Sequence, residues 1–385
     1  MKSIIKTALF TLLITTAFIT MAFWKPTEKI YPSVKYNSKP RIQVAILLDV
    51  SSSMDGLIEQ AKAQLWNMVS VMGKAKCDNI MPQIEIALYE YGRSTNDEKK
   101  GYVKQIDGFT SDLDQLSKHL FSLNTNGGDE YCGQVIYTSL SELNWDPSPS
   151  NYKVIFIAGN EDFLQGNIQY TKACEEAKKK GVIINTIYCG DKQQGIREHW
   201  NLAGECGNGS FTNINQNEKT ENIPTPYDST IFVLNEELNG TYVYYGAEGV
   251  SKYADQSSMD KSNFEMGVAV AAKRIAVKSK SGLYKNTNWD LVDAYNNDSL
   301  VLEKIDLKTL PKEFQNKSRA ELKAIVKVKN DTRSKLQKDI SEINIKREAF
   351  VLKQKESSIK NVATLETEVE RIIKSQAKRF NMIIK

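Results

Sequence analysis

Histidine is almost missing from this sequence. Of 385 residues only His119 and His199 are histidine, and neither has a neighbouring cysteine or serine in an arrangement that would activate a nucleophile. Cysteine is sparse as well: Cys77, Cys132, Cys174, Cys189 and Cys206 lack the paired spacing of a zinc site or the framework of a disulfide scaffold. An odd number leaves at least one thiol unpaired. Cys189 and Cys206 each fall near a strand end and its following loop, so one bridge there is allowed, with buried free thiols as the plainer reading. There is no phosphate-cradling glycine loop and no tandem repeat, which removes several common enzyme classes. The net charge is only +4, from 51 basic and 47 acidic residues, and gives nucleic acid binding no support.

What is present begins with an address. Lys2 and Lys6 precede an apolar run from Ala8 to Phe23 that ends in Thr20-Met-Ala22, the layout of a secretory signal peptide over 1–22, with an uncleaved N-terminal anchor as the alternative. No cysteine follows the run, so a lipoprotein anchor is excluded. The chain is expected outside the cytoplasmic membrane, periplasmic, cell-surface or secreted, touching the membrane only if that segment stays attached.

After a linker over 23–40, the run Ile42 to Leu48 is nearly continuous in apolar residues, as in a strand buried on both faces of a parallel sheet. It stops at Asp49. Leu57, Ile58, Ala61, Leu65, Met68, Val69 and Met72 then recur at helical spacing. The alternation continues with strands at Ile84 to Tyr91, Lys153 to Ala158 and Val182 to Tyr188, and helices at Asp112 to Leu123, Cys132 to Leu143 and Asn167 to Lys180. This predicts an α/β fold with a mostly parallel sheet covered on both faces, whose ligands bind beyond the carboxyl ends of the strands. Helical signals dominate after Thr220: Asp228 is expected to cap a helix carrying Ile231, Leu234 and Leu238, and a second is expected from Ala247 to Lys280. Beyond Gly282 there is no glycine and one proline, Pro311, while Leu322, Leu336, Ile343 and Phe350 keep a seven-residue spacing. That tail reads as a coiled-coil stalk or as helices packed on the first domain. The expected divisions are therefore 41–215, a helical extension over 219–300 and a charged helical tail over 301–385.

The segment Asp49-Val-Ser51-Ser-Ser53 ends a buried strand and directly precedes a helix, aiming a carboxylate and two hydroxyls at one spot. Hard cations such as Mg²⁺ want oxygen donors of this kind and keep several waters, so a shallow loop can hold one and leave a position open. The bland alternative is that these side chains only satisfy backbone N–H groups of the turn and helix. Downstream come Phe109-Thr-Ser-Asp112-Leu-Asp114, then Asn126-Gly127-Gly128-Asp129-Glu130, then Val154-Ile-Phe-Ile-Ala-Gly159-Asn160-Glu161. In order and spacing, Arg41 to Asn215 resembles the von Willebrand factor type A family, in which three loops converge on a metal ion-dependent adhesion site. Asn185 to Gly190, Tyr242 to Gly246 and Trp289 to Asp293 resemble its exported bacterial members with helical extensions.

The resemblance implies metal-ligand roles for Asp49, Ser51 and Ser53. It also implies a fourth ligand in the second loop, for which Asp129 stands where the family commonly has threonine. In the third loop the family's Thr-Asp-Gly is replaced by Ala158-Gly159-Asn160-Glu161, leaving Asn160 and Glu161 as stand-ins. The implied function is a metal-dependent adhesion or complex-assembly module of the bacterial envelope, not an enzyme. It would use Mg²⁺, with Mn²⁺ or Ca²⁺ as alternatives, to bind a protein partner through an acidic residue, and could form a homo-oligomer through its C-terminal helices. One alternative is a structural scaffold with a degenerate metal site. A remoter one is a haloacid dehalogenase-like phosphatase, which needs a second carboxylate two residues after the aspartate, where this chain has Ser51.

Overall fold

The computed structural model describes residues 39–217, 222–356 and 364–384; the expected signal peptide or anchor and most of the linker lie outside them. Strand β1 (Arg41–Asp49) leads through the Asp49 turn into helix α1 (Asp55–Met72). There follow β2 (Ala75–Lys76), β3 (Gln83–Tyr91), β4 (Lys104–Thr110), α2 (Leu113–Ser122), α3 (Cys132–Glu142), β5 (Tyr152–Gly159), α4 (Tyr170–Lys180) and β6 (Ile183–Cys189). The short helices α5 (Lys192–Arg197) and α6 (Trp200–Cys206) precede β7 (Phe211–Ile214).

Six strands form one sheet in the order β4-β3-β1-β5-β6-β7, all parallel except β4, which runs antiparallel to β3 at the edge. The chain builds outward from β1 to one side, then returns to build from β5 to the other. This is the doubly wound order, with its switch point between β1 and β5, where crevices open at the carboxyl ends. Alternation within strands sorts the core. Ala45, Leu47, Ala87, Tyr89, Ile155 and Ile157 meet α3, α4 and α6 on one face, while α1 covers the other.

The sequence left β4 and β7 unread. The helical half contains α7 (Asp228–Asn239), α8 (Gly249–Met266), α9 (Val268–Lys278), α10 (Leu291–Asn297), α11 (Val301–Lys304), α12 (Arg319–Glu356), α13 (Leu365–Ala377) and a last strand β8 (Ile383–Ile384). Three expectations are corrected here. Asp228 is the first residue of α7, not its cap; its Oδ2 accepts from the Thr225 N–H at 2.6 Å. The single helix expected from Ala247 to Lys280 is two, separated at Gly267, whose φ of +138° is closed to other residues. And α12 is no free stalk: Leu322, Val326, Leu336 and Ile340 are buried against α7, α9, α10 and α11 of the same chain. Helix α13 then returns to α1 and β7, and β8 pairs with β2, so the chain's end completes the sheet half. Gln376 fixes that return. It accepts from the Tyr152 hydroxyl at 2.9 Å and donates to Asn185 Oδ1 at 2.7 Å, all three side chains being buried. No helix among the described residues is long and apolar enough to cross a membrane.

The disulfide joins Cys174 to Cys206, with Cα atoms 5.8 Å apart; Cys189 is buried and free, so the Cys189–Cys206 pairing is not formed. The bridge ties α4 to α6 across 32 residues. Cross-linking a loop of that size lowers the entropy of the unfolded chain, so Cys174→Ser with Cys206→Ser should cost about 3 kcal/mol in denaturant unfolding. A reductant should then leave the variant's midpoint unchanged.

Candidate metal site at the switch point

The site begins where β1 ends. Asp49 is fully buried, and its Oδ1 accepts the Ser51 N–H at 2.7 Å. Its Oδ2 is buried with no hydrogen-bond partner. A carboxylate oxygen in that state costs free energy unless something positive reaches it. Ser51 Oγ and Ser53 Oγ lie 3.4 Å apart. They do not cap the following helix: Met54 holds that position without a side-chain bond. The bland reading therefore accounts for one oxygen of Asp49 and for neither serine.

The second loop is pinned to the first by the Asn126 N–H donating to Val50 O at 2.8 Å, and to the turn after β3 by the Ser94 N–H donating to Gly127 O at 2.9 Å. It delivers Glu130 to the site rather than Asp129. Glu130 is 8% exposed and lies against Asp49 and the Ser51 hydroxyl. Asp129 points to solvent and accepts from the Tyr131 hydroxyl at 3.1 Å. Of the two adjacent carboxylates, the loop thus places Glu130 against Asp49 and leaves Asp129, the residue the sequence offered, exposed.

From the third loop, Asn160 Nδ2 donates to Ser53 Oγ at 3.2 Å. Glu161 is exposed, close enough to act on Asp49 and Glu130 through its charge. The loop itself is braced by Trp200 Nε1 donating to Glu161 O at 2.7 Å and by Asp162 against His199 at 3.0 Å. His199 sits in a left-handed turn ahead of α6 rather than within a helix.

Two glycines let these loops close, and sequence reasoning named neither as a site residue. A Cβ on Gly92, whose φ is +81°, would stand 2.8 Å from both Asp49 Oδ1 and Glu130 Cγ. One on Gly159 would stand 2.5 Å from the Tyr91 hydroxyl and 2.9 Å from Asp49 Oδ2. Gly92→Ala should therefore part the two carboxylates and add about 1–2 kcal/mol of backbone strain. Thermal melts with and without Mg²⁺ should show a folded variant with most of the metal response gone.

Burial pushes the Asp49 carboxyl up to about 7, opposed by the Ser51 N–H and hydroxyl and by the nearby Asn160 N–H, with the Glu161 charge adding to the rise. Burial likewise pushes Glu130 up to about 8, reinforced by the charge of Asp49. Two carboxyls that each resist ionising, side by side, make a strong proton pair or a divalent-cation site. Donor chemistry favours the cation, since two carboxylates, two hydroxyls and the Asn160 amide offer only hard oxygen ligands. No group of three or more His, Cys, Asp or Glu side chains able to hold a metal occurs among the described residues, so an ion here would need the hydroxyls as well as the two carboxylates. The residues present fit such an ion.

No family model matches the chain, and no curated protein matches it in sequence. Solved structures similar to part of it include an aerotolerance-related membrane protein from Bacteroides fragilis, at 16% identity and a TM-score of 0.32, covering 46% of this chain and 93% of that one. A von Willebrand factor type A structure from Catenulispora acidiphila has 12% identity and a TM-score of 0.33, with 46% and 39% covered. The pilus adhesin SpaC from Lactobacillus rhamnosus GG has 15% identity and a TM-score of 0.34, with 47% and 28% covered. Its own sheet order, with one antiparallel edge strand and loops gathered beyond the carboxyl ends of β1, β3 and β5, is the mostly parallel α/β arrangement that the sequence predicted.

Proposed function

We propose that this protein is a binding module that holds a divalent cation, Mg²⁺ in the first place, between Asp49, Ser51, Ser53 and Glu130, and uses it to engage a protein partner outside the cytoplasmic membrane. The observation that carries this is Asp49 Oδ2, buried and without a hydrogen-bond partner beside a second buried carboxylate. Asn160 and Glu161 stand at the rim, where they would hold waters of the ion. When bound, the ion would supply a fixed coordination position to which an oxygen of the partner can attach. The protein's own residues set its position and exclude water from one side.

Binding fits better than catalysis. A phosphoaspartyl enzyme needs its nucleophile exposed to substrate, whereas Asp49 is fully buried, and Ser51 cannot shuttle protons as a carboxylate would. The Cys174–Cys206 bridge suits an oxidising compartment outside the cytoplasm. The test is capture of envelope proteins by the full chain with Mg²⁺, with chelator, and with Asp49→Asn. Partners retained only by the metal-loaded wild type support the reading. Identical capture under all three conditions leaves a scaffold with an inert site.

A further inference from the structure

The residues around the site also state what the partner should present. Asp49 and Glu130 bring two negative charges to one point, both buried, enough to neutralise a divalent cation completely. The further groups acting on them, Glu161 and Asp129, are acidic and exposed. Arg93, in the turn after β3, is committed elsewhere: its Nε lies 3.1 Å from Glu90 Oε1 and its Nη1 donates to Asn124 Oδ1 at 2.6 Å. A metal ion held here carries no net positive charge outward, and an arriving carboxylate would meet an acidic rim.

We infer that Glu130 is a direct ligand whose charge makes the loaded site reject carboxylates, so that the partner completes it with a neutral oxygen, a carbonyl or hydroxyl, flanked by basic side chains facing Glu161 and Asp129. This rests on the proposed function and replaces the acidic partner that the sequence alone suggested. Glu130 is thereby the specificity determinant of the site. A neutral hydroxyl donor in its place would leave a positive charge exposed and reverse the preference.

Manganese and acetate test it without knowledge of the partner. Full-length wild type and Glu130→Gln, an isosteric change that removes a buried charge and preserves the fold, are titrated with Mn²⁺ while solvent-water proton relaxation reports the waters on the bound ion. The inference expects Glu130→Gln to weaken Mn²⁺ binding at least about tenfold, as loss of a charged ligand does. It expects acetate to leave the relaxation of Mn²⁺-loaded wild type unchanged while lowering that of the loaded variant, as acetate displaces water. Acetate displacing water from the wild type, or equal Mn²⁺ affinity in the two proteins, overturns it. Failure of the wild type to bind Mn²⁺ at all is a separate result, which ends the proposed function and this inference together.

Discussion

Arg274→Ala should destabilise the protein by about 3–5 kcal/mol, the scale for breaking a buried ion pair by removing one partner. Arg274 is 1% exposed. Its Nη1 donates to Asp114 Oδ1 and its Nε to Asp260 Oδ1, each at 2.6 Å, and its Nη2 donates to Gln256 O at 3.0 Å. The guanidinium also lies over the Trp66 ring, 4.6 Å from the centroid. Asp114 and Trp66 belong to the sheet half, Asp260 and Gln256 to α8, so one side chain joins the two halves. Removing it strands the Asp114 carboxylate, whose other described contacts include the Tyr284 hydroxyl.

Urea unfolding should show a lower midpoint at unchanged slope. The exposed pair Lys118–Asp255, 2.8 Å apart, is the contrast, and Lys118→Ala should cost under about 1 kcal/mol. Burial alone would raise the Asp260 carboxyl, yet Lys278 and Arg274 hold it far below the usual range. Its contribution is therefore present above its ordinary value of 3.8 and drains away as pH falls below that.

Asp49→Asn should abolish the response to divalent cations while leaving the metal-free protein at least as stable. Asparagine keeps an oxygen for the Ser51 N–H and drops the buried charge. The sign follows from linkage. Asp49 and Glu130 ionise in the unfolded chain near 3.8 and 4.5 but in the fold only near about 7 and about 8, so between those limits the folded state binds more protons. Metal-free stability from this pair is fullest at low pH, falls as pH rises from about 4 to about 8, and is flat above.

A cation needs both groups ionised, so its stabilising effect should grow across the same window. At a hundredfold excess over its dissociation constant the gain is about 2.7 kcal/mol. Melting curves of wild type and Asp49→Asn at pH 5.5 and pH 8, with Mg²⁺ and with chelator, test this. The wild type should gain more at pH 8, the variant nothing at either. A Mg²⁺ shift of equal size in the variant would place the ion elsewhere.

What could be read beforehand follows burial. β1 and β5 lie inside the sheet with both faces covered, so nearly every residue is apolar and the runs announce themselves. β4 is an edge strand, Lys-Gln-Ile-Asp-Gly-Phe-Thr, with one buried residue, and carries no pattern to find. The break at Gly267 was hidden because a run of helix formers, Val268 to Lys278, follows it at once. For the turn, the closeness of Asp49, Ser51 and Ser53 was legible because strand, turn and helix fix where their side chains point.

The choice between Asp129 and Glu130 was not legible. They are adjacent carboxylates in a loop, and what decides between them is tertiary: Gly128 packs so closely that a Cβ there would stand 2.5 Å from Ser94 N and 2.7 Å from Gly92 O. That contact sets the loop's register and turns Glu130 inward. In the tail, Leu322 and Leu336 are buried as their seven-residue spacing implied, but the partners are helices of the same chain. Arg333 and Arg347, buried on the same helix, show it: they meet Asp290 at 2.6 Å and Asp228 at 2.7 Å, contacts a self-associating seam would not require.

Anomalous diffraction from a crystal of the full chain grown with saturating Mn²⁺ decides whether the Asp49 turn holds a cation. One strong peak is expected, bounded by Asp49, Ser51, Ser53 and Glu130 and absent from crystals of Asp49→Asn. A map with no peak there would overturn the cation site.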